Sequence, residues 1–124
     1  MKLDIKNLSR RPRPRLNFRT ITEQVLGQDY ELSLVFIGST RSRRLNRVWR
    51  GKNRPANVLS FPLTPMAGEI FIDRELVKEK DLLLIFIHGL LHLKGLDHGS
   101  KMEALESQLV KHFHPHEQND RHWS

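Results

Sequence analysis

Cysteine is absent from all 124 residues, which excludes disulfides, thiolate zinc sites, iron–sulfur clusters and cysteine nucleophiles. Also missing is an apolar stretch long enough to span a bilayer. The longest run, Leu82 to Leu93, is interrupted by His88 and Gly89, and a span needs roughly 20 apolar residues. That run reads as a buried element. The opening MKLDIKNLSRR has no apolar segment of the secretory type. A soluble cytoplasmic protein with no membrane partner is the expectation. Acidic residues are scarce where basic ones are dense. Residues 10–54 hold twelve arginines and lysines against Glu23, Asp29 and Glu31, a local charge of +9 in a chain of net +7. A basic region on a small domain is the footprint of a polyanion, usually nucleic acid. The competing reading is a solvated face that keeps the protein soluble. Charge alone separates neither these two readings nor RNA from DNA.

What is present suits one domain, residues 1–124, of globular composition. Leu3, Ile5 and Leu8 suggest a first strand over residues 2–8. RRPRPR at Arg10 to Arg15 is a connector, because Pro12 and Pro14 exclude a helix interior. A short helix follows from about Asn17, with Ile21, Val25 and Leu26 inward and Gly27 as its stop. Tyr30 to Ile37 is the best strand signal. Ser39 or Thr40 can cap a second helix to about Trp49, with Leu45, Val48 and Trp49 on its apolar face. Val58 to Phe61 and Glu69 to Asp73 read as two more strands, the first at an edge or ended by Pro62. Asp81 is a suitable cap for LLLIFIHGLLHLK, which is apolar nearly all round and therefore central. Gly95 ends it. Ser100 can start a last helix to about His112, packed through Met102, Leu105 and Leu109, and the polar tail from His114 is expected to fray. The order βαβαββαα defines an α+β fold: a small mixed sheet of about four strands covered by helices, with a central buried helix.

That helix carries the chemistry. His88 and His92 are four apart, about 40° around the axis, so both imidazoles project from one face. Gly95 lets the chain turn, and His98 lies just beyond. Neutral imidazoles suit zinc, and zinc sites that do chemistry often have three protein ligands and an open position. A lone histidine on an apolar helix is more often a satisfied core residue, but this three-residue spacing is demanding. The run HGLLHLKGLDH follows the zincin pattern H-E-x-x-H-x-x-G-x-x-H except that Gly89 stands where the general-base Glu would be. The metal ligands are kept and the protease base is not, which argues against peptide hydrolysis by that route.

HGLLHLKGLDH resembles the signature of the YbeY-type rRNA maturation factors. Arg50-Gly51-Lys52 followed by PANVLSFP at Pro55 to Pro62, GEIFI at Gly68 to Ile72, and MEAL at Met102 to Leu105 agree with it. The resemblance covers about residues 30–110. The chain departs from the family pattern at Ala56, Glu69, Leu96 and Gly99, and in two shorter loops. The resemblance implies a zinc-dependent, single-strand-specific endoribonuclease of ribosomal RNA maturation and quality control. It implies one Zn2+ on His88, His92 and His98, and it implies that Arg50 lies near the metal and is needed for activity. Asp97 is a candidate to orient a ligand imidazole, or equally a loop residue bonded to its own backbone. Arg41, Arg44, Arg47, Lys52 and Arg54 are candidates to hold the RNA backbone. Ribosomal proteins of the small subunit are further candidate partners. Ser60 reads as structural, Trp49 as core rather than a base-stacking platform, and His112, His114 and His116 as exposed. The rival function is a zinc-stabilised assembly factor that binds RNA or a ribosomal protein without cutting. A structural zinc normally closes with a fourth protein ligand, and none is evident near the motif.

Overall fold

A computed structural model describes the backbone of residues 1–122 and the side chains of residues 1–114. Its elements are β1 (Lys2–Asn7), α1 (Phe18–Leu26), β2 (Glu31–Ile37), α2 (Ser39–Arg50), β3 (Val58–Thr64), β4 (Ala67–Asp73), α3 (Glu79–Leu93) and α4 (Ser100–His122). The strands form one sheet in the order β1-β2-β4-β3. β1 and β4 run parallel to β2, and β3 runs antiparallel to β4. This is the expected mixed α+β arrangement of four strands and helices. β3 is an edge strand, which is why Pro62 fits within it.

Strand side chains alternate between two faces. Leu32, Leu34 and Phe36 of β2 and Ile70 and Ile72 of β4 face inward. They join Phe18, Ile21 and Val25 of α1, Phe86, Ile87 and Leu90 of α3, and Met102 of α4 in one core cluster. α3 is buried along most of its length, as its apolar sequence requires. It lies close on the sheet because Gly89 has no side chain. A Cβ there would come within 3.1 Å of Val58 Cγ2 and 3.2 Å of Ile70 Cδ1 and Ser60 Oγ. Ser60 donates to the Gly89 carbonyl at 3.0 Å, so its hydroxyl is structural.

The other sheet face belongs to α2, and here the expected packing is corrected. Val48 and Trp49 are exposed, and the residues α2 buries are Ser42 and Asn46. Polar partners make that possible. Ser42 and Ser39 both donate to Asp73 Oδ2, and Asn46 donates to the Arg54 carbonyl. Ser39 therefore spends its hydroxyl on Asp73, and the cap position falls to Gly38. Trp49 does lie on the Ser42 stripe, seven residues on, but the last turn of α2 leaves it 69% exposed.

Two other boundaries differ. α3 begins two residues before Asp81, with Lys78 at the cap and Asp81 in the first turn, where its charge still favours the helix dipole. α4 does not stop at His112 but continues to His122. His112 is exposed and His114 half-buried, while the side chain of His116 lies outside the described residues.

Candidate metal centre

The centre is built at the C-terminal end of α3. His88 and His92 sit one helical turn apart, and their ring centroids are 4.6 Å apart. α3 then closes with the Gly95 N–H donating to the His92 carbonyl. Gly95 has φ of 98°, a left-handed conformation that glycine adopts without penalty. The turn brings His98 back over the helix, with ring centroids 5.1 Å from His88 and 4.8 Å from His92. One ring nitrogen from each of the three histidines lies within 4.8 Å of the others. The expected triad is thus assembled.

Hydrogen bonds fix which nitrogen faces inward. His88 Nδ1 lies 2.9 Å from Glu106 Oε2, and a carboxylate only accepts, so Nδ1–H donates. His92 Nδ1 likewise donates to the Leu96 carbonyl at 3.1 Å. In both neutral rings the lone pair is then on Nε2, and those two Nε2 atoms face each other at 3.0 Å. Two opposed lone pairs repel unless a cation or a proton lies between them. Zinc–nitrogen bonds of about 2.0–2.1 Å put tetrahedral ligand atoms about 3.3 Å apart, close to that spacing. His92 resists the proton: burial lowers its pKa first, then the neighbouring His88 and His98, against a raising effect of the Leu96 carbonyl, with Arg50 lowering it further. The three histidines therefore fit a metal better than a shared proton.

Glu106 is the residue that sequence reasoning missed. It lies on the α4 stripe of Met102, four residues on, and is half-buried. An acidic residue within an apolar stripe was the available signal. Its contact with His88 is the carboxylate–histidine arrangement that orients metal ligands and raises their basicity. Asp97 is exposed and has no hydrogen bond to an imidazole among the described residues. A cleft of about 360 Å³ opens beside His88 and Glu106, walled by Asn57, Val58, Leu84 and Ile85.

Arg50, at the end of α2, is close enough for its charge to reach His92. Gly51 has φ of 69° and ends the helix there, turning the chain toward β3. Arg41, Arg44, Arg47, Lys52 and Arg54 are all exposed. No described helix is long and apolar enough to cross a membrane.

An α+β sheet carrying a three-histidine group that could hold a metal defines the class. The chain belongs to the endoribonuclease YbeY family, whose profile matches residues 3–114. A relative from Allorhizobium ampelinum, named endoribonuclease YbeY, is 36% identical over 64% of this chain and 62% of its own length. Another of that name, from Bartonella bacilliformis, is 37% identical over 65% of this chain and 66% of its own. The chain thus spans a little under two thirds of the length of these curated relatives. The solution structure of TM1509 from Thermotoga maritima shares the fold, with a TM-score of 0.66 at 24% identity over 98% of this chain and 95% of that one.

Proposed function

We propose that residues 1–124 act as one zinc-dependent, single-strand-specific endoribonuclease domain in ribosomal RNA maturation and ribosome quality control, working in the cytoplasm. The observation that carries this reading is the pair of Nε2 atoms facing each other at 3.0 Å, oriented by Glu106 and the Leu96 carbonyl in a chain of this family. His88, His92 and His98 would hold the zinc. When bound, zinc supplies Lewis acidity toward a phosphodiester and lowers the pKa of water. Arg50 stabilises the charge that builds on the non-bridging oxygens. Glu106 holds the His88 ring in its productive orientation, and Asp97 remains a candidate for the same task toward another ligand. Arg41, Arg44, Arg47, Lys52 and Arg54 hold the RNA backbone without reading bases. Small-subunit ribosomal proteins are the natural further contacts.

Three histidines with no fourth protein ligand among the described residues favour catalysis over a purely structural zinc. The test uses homogeneous protein on labelled single-stranded RNA and on its duplex, beside an identically purified His92→Ala protein. Expected is cleavage of the single strand alone, abolished by EDTA, restored by zinc and absent in the variant. Binding without cleavage in the zinc-loaded parent would instead establish the assembly-factor function.

A further inference from the structure

On the sheet face opposite the histidine helix, Trp49 stands 69% exposed, beside its exposed chain neighbour Val48. Its ring meets Phe61 of β3 edge-on, with centroids 6.3 Å apart and planes at 62°. Phe61 in turn meets Phe71 of β4 edge-on, at 5.8 Å and 73°. Edge contacts fix these rings without covering both faces. Both phenylalanines are half-buried, so the three rings form a partly open aromatic row at the edge of the sheet.

The segment that carries Trp49 is charged in one sign. Residues 39–57, which contain Trp49, hold seven arginines and lysines and no acidic residue. All seven are exposed, and none pairs with a carboxylate among the described residues. Unneutralised cations beside open aromatic faces are the two halves of a single-stranded nucleic-acid surface. Cations hold the backbone, and rings take successive bases, whatever their identity. We propose that Trp49, with Phe61 and Phe71 behind it, is a stacking platform for the unpaired bases of single-stranded RNA whose phosphates lie along α2. The proposal rests on the RNA-directed reading above and gives it a physical source of strand selectivity. A duplex keeps its base faces stacked inside and offers the platform nothing.

Two features bear on where the strand lies and on what competes with it. Glu69 is the register partner of Phe61 on β4 and shares its face. Its charge repels phosphate there and leaves the aromatic row to bases, while the backbone is drawn to α2. A second copy of this chain is the competing occupant for an apolar patch. It would bring one arginine-rich α2 close to another, which charge repulsion opposes.

The experiment reads Trp49 directly. Trp123→Phe leaves Trp49 as the sole tryptophan, and EDTA keeps RNA intact during binding. A short single-stranded RNA should quench Trp49 emission saturably, and a duplex of the same sequence should not. Trp49→Ala should weaken single-strand binding by about 5- to 150-fold, the loss associated with one stacked base. Trp49→Phe should recover most of it, while duplex binding and thermal midpoint stay at the parent values. Phe61→Ala serves as the second variant and should give a smaller loss in the same direction. Unchanged single-strand affinity in Trp49→Ala, an equal loss toward duplex, or absence of quenching would each overturn the platform. So would a concentration-dependent dimer that Trp49→Ala dissolves. The two readings separate cleanly. A protein that stacks RNA on Trp49 but never cuts keeps the platform and loses the nuclease. A Trp49→Ala protein that binds and cuts like the parent loses the platform and keeps the nuclease.

Discussion

His88 and His92 each have one ring nitrogen held by a fixed acceptor, whereas of the seven cations between residues 39 and 57 only Arg43 donates to a described side chain, Asn53. The first region is built for one geometry, with three rings converging beneath a turn that only glycine makes easily. The second presents charge and aromatic surface with little constraint. Metal chemistry needs ligand atoms placed to a fraction of an ångström. Holding a flexible polyanion does not, because phosphate contacts are many and individually weak. Substitutions in the two regions should therefore fail differently, by collapse of a geometry in one and by graded loss of affinity in the other.

The sharpest way to break the contrast is to place in α3 the base that the zincin pattern would put there. Gly89→Glu adds a side chain where even a Cβ meets Val58, Ile70 and Ser60 within 3.2 Å. Overpacking of this kind costs about 1–3 kcal/mol, and a carboxylate buried without a partner adds more. The expected outcome is loss of cooperative urea unfolding, or an unfolding free energy lowered by about 2–5 kcal/mol. A Gly89→Glu protein of parental stability would show that α3 does not need its close seat on the sheet.

Arg50 belongs to both regions, being the last residue of the basic helix and a charge felt at His92. Arg50→Ala should leave fold and metal content unchanged and lower single-turnover cleavage by about a hundred- to a thousandfold, as removal of one such electrostatic contact does. Arg50→Lys should restore little, since lysine lacks the planar fork. A parental rate in Arg50→Ala would remove it from the reaction and leave it as one more exposed cation of the α2 segment.

Glu106→Gln tests the first region alone. The glutamine keeps the shape and loses the charge that supports His88 Nδ1–H. Metal affinity, measured by competition with a chromophoric chelator, should fall by about 10- to 100-fold. RNA affinity of the metal-free protein should not move. Unchanged metal affinity would reduce Glu106 to a packing residue of α4.

These three residues also show how far the sequence could be read. The spacing of His88, His92 and His98 is local: one helical turn and one glycine turn determine it, so the triad was legible. The element order was legible for the same reason, since each segment's periodicity is its own. Glu106 was not, because its role exists only once α4 returns over α3, 18 residues from His88. Trp49 was misjudged because the apolar face read from Leu45, Val48 and Trp49 is not the face that α2 buries. The stripe through Ser42, Asn46 and Trp49 does face the sheet, but pattern alone cannot tell that Asp73 lies under Ser42 while little lies over Trp49. Which end of an amphipathic stripe is covered is a property of the packed neighbours, and those neighbours come from β3 and β4.

The smallest effect expected is a pH dependence confined to the histidine region. Burial, then His88 and His98, lower the pKa of His92 in the folded protein below its ordinary value near 6.5. On acidification through 6.5 the unfolded chain takes up a proton at this position before the folded one does. The unfolded state then binds more protons, so stability falls as pH drops. The contribution is fully present above the unfolded value and is lost progressively below it. Metal binding follows the same direction, because ligand imidazoles must be neutral. Guanidinium groups as a class stay charged throughout this range, so the α2 surface should not follow. Urea midpoints of the metal-free protein between pH 7.5 and 5.5, beside its single-stranded RNA affinity at constant ionic strength, check this. Stability should decline modestly below pH 6.5, and the decline should shrink in His92→Gln. RNA affinity should stay nearly level over the same interval. An RNA affinity that rises steeply on acidification would mean that the histidines themselves, once protonated, hold phosphate, and the division between a metal-holding end and an RNA-holding face would not stand.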